Sequence, residues 1–383
     1  MIITKLQISK LRNHIYSEIY PATELNIFYG ENGAGKTTVL EAISIACLSK
    51  SFANNSDSSL IQTNENQYQI KLESLNHLNL PYNVEVLYQI GQRKKINNTF
   101  GDNQTPKDII GLIPLVHLSP DLRKITTGSP ESRREFIDKI LSQSSKSYLD
   151  ILINFRKALK QRSSLLYTFQ QTKRFDTDFF ETWNNVFLDL ASQIIIKRHN
   201  FIIEFSKNFQ QIYSEITQNK ETVSLQYEPN SIPDDIYGNN SNSIAFDEIF
   251  NILKNKSKSM LSAEVSRGMT LFGPQKDELK ITLNSGLARE KGSQGQHKSL
   301  LIAIKFAELE YLAEKTNEIP IVLLDDIFSE LDDNRISLVL KKVIDRKSQT
   351  FITLTNPEII MKNNNLTRDL NYYYLNNGKI ELK

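Results

Sequence analysis

The chain has 383 residues with nearly balanced charge, 46 Lys and Arg against 44 Asp and Glu, which excludes a globally basic nucleic-acid-binding protein. That length allows two or three domains, and the hydrophobic fraction of 39% is enough for a sizeable core. A single cysteine, Cys47, excludes an internal disulfide framework. No apolar run approaches the roughly 18 residues of a membrane span, and the N-terminus shows no leader segment. We therefore expect a cytoplasmic protein.

The N-terminal part predicts strands, a Gly-rich loop with its helix, and an antiparallel β patch. Residues 2–9 alternate like a strand, and the apolar run 25–29 leads through the loop into a helix that ends near residue 48. Period-two alternation predicts further strands at 67–74, 82–90 and 93–100.

From Pro130 onward, apolar residues recur with a helical period, and strand character returns only after Leu271. The predicted helices are 131–143, 146–170, 178–216 and 243–262. The predicted elements beyond Leu271 are strands 278–283, 320–325 and 350–354, helices 297–315 and 334–345, and a terminal hairpin at 372–383. The order predicts an α/β fold with mixed sheets around the Gly-rich loop, split by an inserted α-helical lobe, with boundaries at 1–125, 126–264 and 265–383.

The Gly-rich loop matches G-x-x-x-x-G-K-[ST] in full, between a strand and a helix. Its glycines let backbone N–H groups surround phosphates at the helix N-terminus. Lys36 is predicted to reach the β- and γ-phosphates of a nucleoside triphosphate as a catalytic residue, and the Thr37 hydroxyl to bind Mg²⁺. The predicted nucleotide-binding residues here are Gly30, Glu31, Asn32, Gly33, Ala34, Gly35, Lys36, Thr37 and Thr38.

A second candidate element is the apolar strand that ends in Asp325 and Asp326. A carboxylate at the end of a buried strand is where Mg²⁺ is held beside a P-loop, so Asp325 is predicted as the metal ligand. Asp326 faces the opposite side and is predicted to polarise an attacking water.

A third element, the segment from Ser293 through Gly295 to Gln296, stands directly before a predicted helix, where its hydroxyl and amides could meet an anion. Together the three elements resemble the ABC-type ATPases, and residues 329–332 look like their D-loop. The resemblance implies that Ser293 and Gly295 contact the γ-phosphate held by a second subunit, so that two molecules sandwich two ATPs.

Motifs spread along the whole chain are similar to those of the RecF family of SMC-like ATPases. They are Leu11-Arg12-Asn13, the P-loop, Lys50-Ser51-Phe52, Ser119-Pro120-Asp121-Leu122, residues 128–138 and 156–162, Gly273-Pro274, residues 293–296 and residues 323–332. The chain departs from the family pattern at Ala53, Gln275 and Lys276. The resemblance implies that Arg12 and Asn13 approach the nucleotide. It also implies an ATP-dependent homodimer that works with RecR and RecO at gaps and single-strand to double-strand junctions to help load RecA.

The inserted lobe carries a candidate DNA-binding stripe of Arg156, Lys157, Lys160 and Arg162 on one predicted helix. Such a stripe would bind phosphates without reading sequence, with an affinity that falls as salt rises. Each cation taken singly is more typical of a solvated helix face.

These observations predict an ATP-dependent DNA clamp in recombinational repair, with slow, DNA-stimulated ATP hydrolysis as its switch. In the ABC transporters that these motifs resemble, a histidine after the strand that corresponds to 350–354 senses the γ-phosphate. Thr355 and Asn356 follow that strand here, so the resemblance implies a switch with slow hydrolysis more than a motor. The alternative is an ABC-type ATPase subunit that powers a transporter, which the long basic insertion disfavours.

Overall fold

The computed structural model describes residues 1–53, 55–174, 176–237, 245–361 and 369–383. Its strands are β1 (Ile2–Leu11), β2 (His14–Ile19), β3 (Leu25–Tyr29), β4 (Gln67–Leu75), β5 (Pro81–Gln89), β6 (Lys95–Asn98), β7 (Gly101–Gln104), β8 (Leu115–Leu118), β9 (Val223–Glu228), β10 (Glu278–Leu283), β11 (Gly286–Leu287), β12 (Ile321–Asp325), β13 (Thr350–Leu354), β14 (Leu370–Asn376) and β15 (Lys379–Leu382).

The helices are α1 (Lys36–Leu48), α2 (Asp57–Leu60), α3 (Pro106–Ile109), α4 (Lys124–Thr127), α5 (Pro130–Ser144), α6 (Lys146–Thr172), α7 (Thr177–Thr217), α8 (Asp234–Tyr237), α9 (Phe246–Arg267), α10 (Ala288–Lys291), α11 (Gln294–Thr316), α12 (Asp333–Asp345) and α13 (Glu358–Met361). Short 3₁₀ turns lie at Pro120–Arg123, Pro274–Lys276 and Phe328–Glu330.

The chain forms two compact units. The head unit comprises residues 1–123 and 298–383, and the inserted unit comprises residues 124–297. The predicted boundary after residue 264 is therefore wrong. The reason is that β10 pairs with β9 along its whole length, from Glu278 with Glu228 to Leu283 with Val223, which ties the segment after α9 to the inserted unit.

The head unit contains two six-stranded sheets. One is antiparallel in the order β2-β1-β4-β5-β6-β7, and the other is mixed in the order β15-β14-β3-β13-β12-β8. In the mixed sheet β3 lies between β13 and β14 and runs parallel to both. Apolar residues of α1 and of both sheets share one core cluster, and α1 is buried on nearly all its faces. A helix enclosed in this way fixes the loop that precedes it.

The inserted unit is built on α5, α6, α7 and α9. It was predicted as a helical lobe, but it is not made of helices alone. It also holds a three-stranded antiparallel sheet in the order β11-β10-β9. Strand β9 was not predicted, although Val223, Leu225 and Tyr227 alternate with more exposed residues in a strand period. The first residues of the helix predicted at 243–262 lie outside the described residues, and the described helix α9 begins at Phe246.

In the head unit, three further differences from the predicted elements occur at short or edge strands. β2 and β8 were not predicted, and the strand predicted over 93–100 is the shorter β6, which forms a hairpin with an unpredicted β7. Each of these strands has at most six residues. So few residues offer little alternation on which to base a prediction.

Candidate nucleotide-binding site

The loop between β3 and α1 has the backbone geometry of a phosphate-binding loop. Gly30, Gly33 and Gly35 have φ values of 149°, 82° and 104°, a region that favours glycine. A Cβ on Gly30 would lie 2.3 Å from the Leu375 carbonyl oxygen, so this position has no room for a side chain. The Lys36 ammonium folds back over the loop and donates to the carbonyls of Gly30 (2.7 Å) and Glu31 (2.8 Å).

The predicted metal ligands Thr37 and Asp325 lie together although 288 residues separate them in the chain. The Thr37 hydroxyl donates to Asp325 Oδ1 at 2.9 Å, at the points where α1 begins and β12 ends. The Thr353 hydroxyl, from the end of β13, donates to the same oxygen at 2.8 Å. Burial raises the pKa of Asp325, and the hydrogen bonds from Thr353 and Thr37 oppose this shift. The pair has the hard oxygen atoms that Mg²⁺ prefers.

Asp326 follows with a left-handed backbone, φ 48°, and an exposed side chain. Its N–H donates to the Thr353 hydroxyl at 2.9 Å, so Thr353 fixes both carboxylate residues at once. Burial lowers the pKa of the Lys36 ammonium, and the charges of Asp326 and Asp325 oppose this shift. Lys36 and the two carboxylates therefore share one electrostatic environment.

The turn between β1 and β2 lies against the loop. Asn13 Nδ2 donates to the Gly33 carbonyl at 3.0 Å. The Arg12 guanidinium contacts the fully buried Glu41 of α1 at 3.0 Å. Glu41 also accepts from the Ser51 hydroxyl at 2.7 Å and from Asn55 Nδ2 at 2.8 Å. Glu41 thus anchors Arg12 and the segment after α1 to the helix that carries the loop.

An open cleft adjoins this turn, and the prediction that Arg12 and Asn13 approach the nucleotide stays a prediction. Its lining includes Arg12, Asn13, Ile61, Gln62 and Asn377. The other predicted loop residues divide by burial: Glu31 and Asn32 are exposed, and Ala34 and Thr38 are buried.

The segment Ser293–Gln296 belongs to the inserted unit, where it begins α11. The Ser293 hydroxyl accepts from the Gln296 N–H at 3.2 Å, and the Gln296 side chain accepts from the Ser293 N–H at 2.8 Å. This reciprocal pair is a capping box. Ser293 is exposed and Gly295 is half-buried, so the helix N-terminus faces solvent.

The predicted DNA-binding stripe is only partly a surface. Arg156 is 65% exposed, and Lys157 and Lys160 are exposed on the same helix, α6. Arg162 is fully buried, so its prediction as a DNA contact is wrong. Its guanidinium pairs with the equally buried Glu264 at 2.7 and 3.0 Å.

Two residues of the site were missed from the sequence, Thr353 and Glu41. Thr353 is the second-last residue of β13, the strand beside β12, and pairs with Asp325. A hydroxyl at this position contacts the carboxylates, so the position could have indicated Thr353. Glu41 lies four residues after Thr37 on α1, but an acidic residue in a helix carries no such signal by itself.

The fold and the loop define the class of protein: a P-loop head of the ABC and SMC type. The family model described as RecF/RecN/SMC N terminal domain matches residues 2–373. A curated relative, the DNA replication and repair protein RecF of Chloroherpeton thalassium, is 34% identical over 93% of this chain and 95% of its own.

Solved structures agree with this class. A structure of the recombination mediator protein RecF with ATP in the RecFOR pathway has a TM-score of 0.90 and 25% identity, over 100% of this chain and 97% of the other. A Pyrococcus furiosus Smc head domain has a TM-score of 0.57 at 16% identity, over 100% of this chain and 96% of the other, which shows the shared fold. The chain belongs to the RecF family, and both the predicted family and the predicted fold class are confirmed.

Proposed function

We propose that this protein is an ATP-dependent DNA clamp of recombinational repair, which dimerises when it binds ATP and opens after slow hydrolysis. The observation that supports this most is the 2.9 Å contact between Thr37 and Asp325, which joins the P-loop to the acidic strand end. Such a pair serves a nucleoside triphosphate with its metal ion. The RecF relative whose structure was solved with ATP supports ATP as the nucleotide.

Thr37 and Asp325 are the residues that would hold Mg²⁺. Among the residues the structure describes, no group of three or more His, Cys, Asp or Glu side chains is arranged to hold a metal. Mg²⁺ bound with a nucleotide is commonly held by one or two carboxylates, with phosphate and water oxygens as its other ligands. The hydroxyl and carboxylate here fit that pattern. When bound, the ion would offset the charge of the phosphates.

Lys36 would bind the phosphates, and Asp326 would act on the attacking water. Lys36 now donates to two loop carbonyls, and a phosphate would offer its ammonium stronger, charged acceptors. Asp326 is exposed beside Lys36 and would polarise the attacking water. Loss of the γ-phosphate would then remove the contact between subunits, so ATP energy would shift a conformational population.

The Ser293 segment is proposed to complete the site of a second subunit. It presents an exposed helix N-terminus whose amides and dipole favour an anion. This arrangement would make each nucleotide a bridge between two copies of the chain.

DNA repair follows from the family, whose curated relative is a DNA replication and repair protein. The RecFOR pathway of the solved RecF structures supports RecO and RecR as partners. We propose that, with these partners, the protein helps to load RecA at gaps and junctions. Non-sequence-specific DNA binding would use exposed cations such as Arg156, Lys157 and Lys160. No helix among the described residues has the length and apolar character to cross a membrane. The transporter alternative gains no support from the family.

Subunit mixing tests the shared site. Lys36→Met should abolish ATP binding, and Ser293→Arg should leave binding intact but block the contact with a partner's phosphate. Neither variant alone should dimerise with ATP in light scattering. An equimolar mixture should form dimers, because one of its two sites joins a normal Lys36 to a normal Ser293.

Three controls complete this test. They are wild-type protein with ATP, with ADP and without nucleotide, each measured with and without gapped DNA. Wild-type dimers should form with ATP only. A mixture that stays monomeric while wild type dimerises would contradict the shared site, and a wild type that stays monomeric with ATP and DNA would contradict the clamp.

A further inference from the structure

We propose that His14 is a positioning residue of the nucleotide site, whose imidazole fixes the orientation of the last peptide of the phosphate loop. The proposal deepens the proposed function and rests on it, since it concerns how this loop presents its amides to a phosphate. His14 begins β2, directly after Asn13.

Three successive carbonyls of the loop are held by groups from outside it. The Gly33 carbonyl accepts from Asn13 Nδ2, and the Ala34 carbonyl accepts from the Gly378 N–H. The Gly35 carbonyl oxygen contacts His14 Nε2, and each of the three distances is 3.0 Å. In a trans peptide the carbonyl and the next N–H point in opposite directions. Fixing the carbonyls of Ala34 and Gly35 therefore turns the N–H groups of Gly35 and Lys36 toward the inside of the loop.

The chemistry of the contact defines the tautomer of His14. A carbonyl oxygen can only accept, so Nε2 must carry the proton that it donates to Gly35. Nδ1 lies 2.8 Å from the Ser17 hydroxyl, which can donate to it. Burial lowers the pKa of His14, and the ring is 0% exposed, so we expect a neutral imidazole at neutral pH.

The contact leaves no spare room on the loop side. Gly35 has a φ of 104°, and a Cβ there would lie 2.6 Å from His14 Nε2. Ser17 has a single hydroxyl proton, so when that proton is donated to Nδ1 the hydroxyl lies 3.3 Å from the Gly378 carbonyl without donating to it. A donor at the position of Nε2 is therefore the specific requirement at residue 14.

A matched pair of variants separates this role from simple filling of the core. His14→Gln places an amide nitrogen where Nε2 lies, and His14→Asn places one near Nδ1. Affinity for Mg²⁺-ATP is measured by calorimetry, and the melting temperature is measured without nucleotide. His14→Gln should bind within about twofold of wild type. His14→Asn should bind about tenfold more weakly, the loss of about 1.4 kcal/mol that one unmade hydrogen bond gives.

The outcomes separate the two proposals. If wild type fails to bind ATP, the proposed function falls and this inference with it. If wild type binds and His14→Asn binds equally well, only the positioning role of His14 is overturned. If His14→Asn fails to fold, the ¹⁵N chemical shifts of the His14 imidazole in the wild type show which ring nitrogen carries the proton. A proton on Nε2 in the ATP complex supports the proposal, and a proton on Nδ1 alone overturns it.

Discussion

At the scale of single residues, the burial of Asp325, the proposed Mg²⁺ ligand, lowers the stability of the unliganded protein. Burial raises its pKa in the folded state, so the folded protein binds that proton more tightly than the unfolded chain does. Stability therefore falls as pH rises from the ordinary aspartate pKa through the raised one, and the penalty is complete above the raised pKa.

Asp325→Asn should therefore stabilise the unliganded protein at neutral pH by roughly 1 kcal/mol while abolishing Mg²⁺-dependent ATP hydrolysis. Asn Oδ1 can still accept from Thr37 and Thr353. Urea unfolding at neutral and acidic pH measures the first effect, which should shrink once Asp325 is protonated. A variant less stable than wild type at neutral pH would contradict this explanation.

Arg162 illustrates the opposite case, a charge that serves the core. Its guanidinium lies about 5 Å from the ring centroids of Phe180, Phe187 and Phe272, and its charge is paired with Glu264. Removing one member of a buried pair leaves the other charge uncompensated.

Arg162→Leu should accordingly lower the free energy of unfolding by about 3–5 kcal/mol. Lys160→Leu, a similar change at an exposed position of the same helix, should alter it by no more than about 0.5 kcal/mol. Chemical denaturation of both variants checks this. Similar values for the two would mean that the Arg162–Glu264 pair contributes little.

At the scale of elements, α6 shows what helical spacing does and does not predict. Its buried residues recur at intervals of three and four, and Arg162 stands in that register between Ala158 and Leu166. The burial of Arg162 could have been inferred from this register, but its charge and the neighbouring cations favoured a surface. Its partner Glu264 lies 102 residues away, and no local pattern joins the two.

The exposed cations of α6 give a prediction for DNA binding. Replacing Arg156, Lys157 and Lys160 by alanine should weaken the binding of any duplex sequence. The slope of log affinity against log salt concentration should also become smaller in magnitude, by up to about 0.9 for each phosphate that is no longer neutralised. Fluorescence anisotropy over a salt series measures this. Replacing the exposed Lys254, Lys256 and Lys258 of α9 gives a charge-matched control. An unchanged slope in the α6 variant would place the DNA elsewhere.

At the scale of the whole molecule, the split of the head unit was predictable because its motifs lie at both ends of the chain. The P-loop, Asp325 and the long helices each carry a local signal. The boundary at residue 297 carries no local signal, because it depends on the pairing of β9 with β10. These two strands are distant in sequence and pair only in the folded chain. Likewise the contact of Gly378 with Ala34 joins distant turns, and neither turn predicts the other.

The position of β3 between β13 and β14 has a consequence for protein synthesis. The P-loop leaves the ribosome early, yet both neighbours of its strand, and the Gly378 turn, are translated last. A nascent chain that has passed residue 38 but not residue 350 therefore has the motif without the sheet that shapes it. On the function proposed above, the nucleotide site would be complete only in a chain that is almost fully translated, so unfinished molecules would neither bind ATP nor dimerise through it.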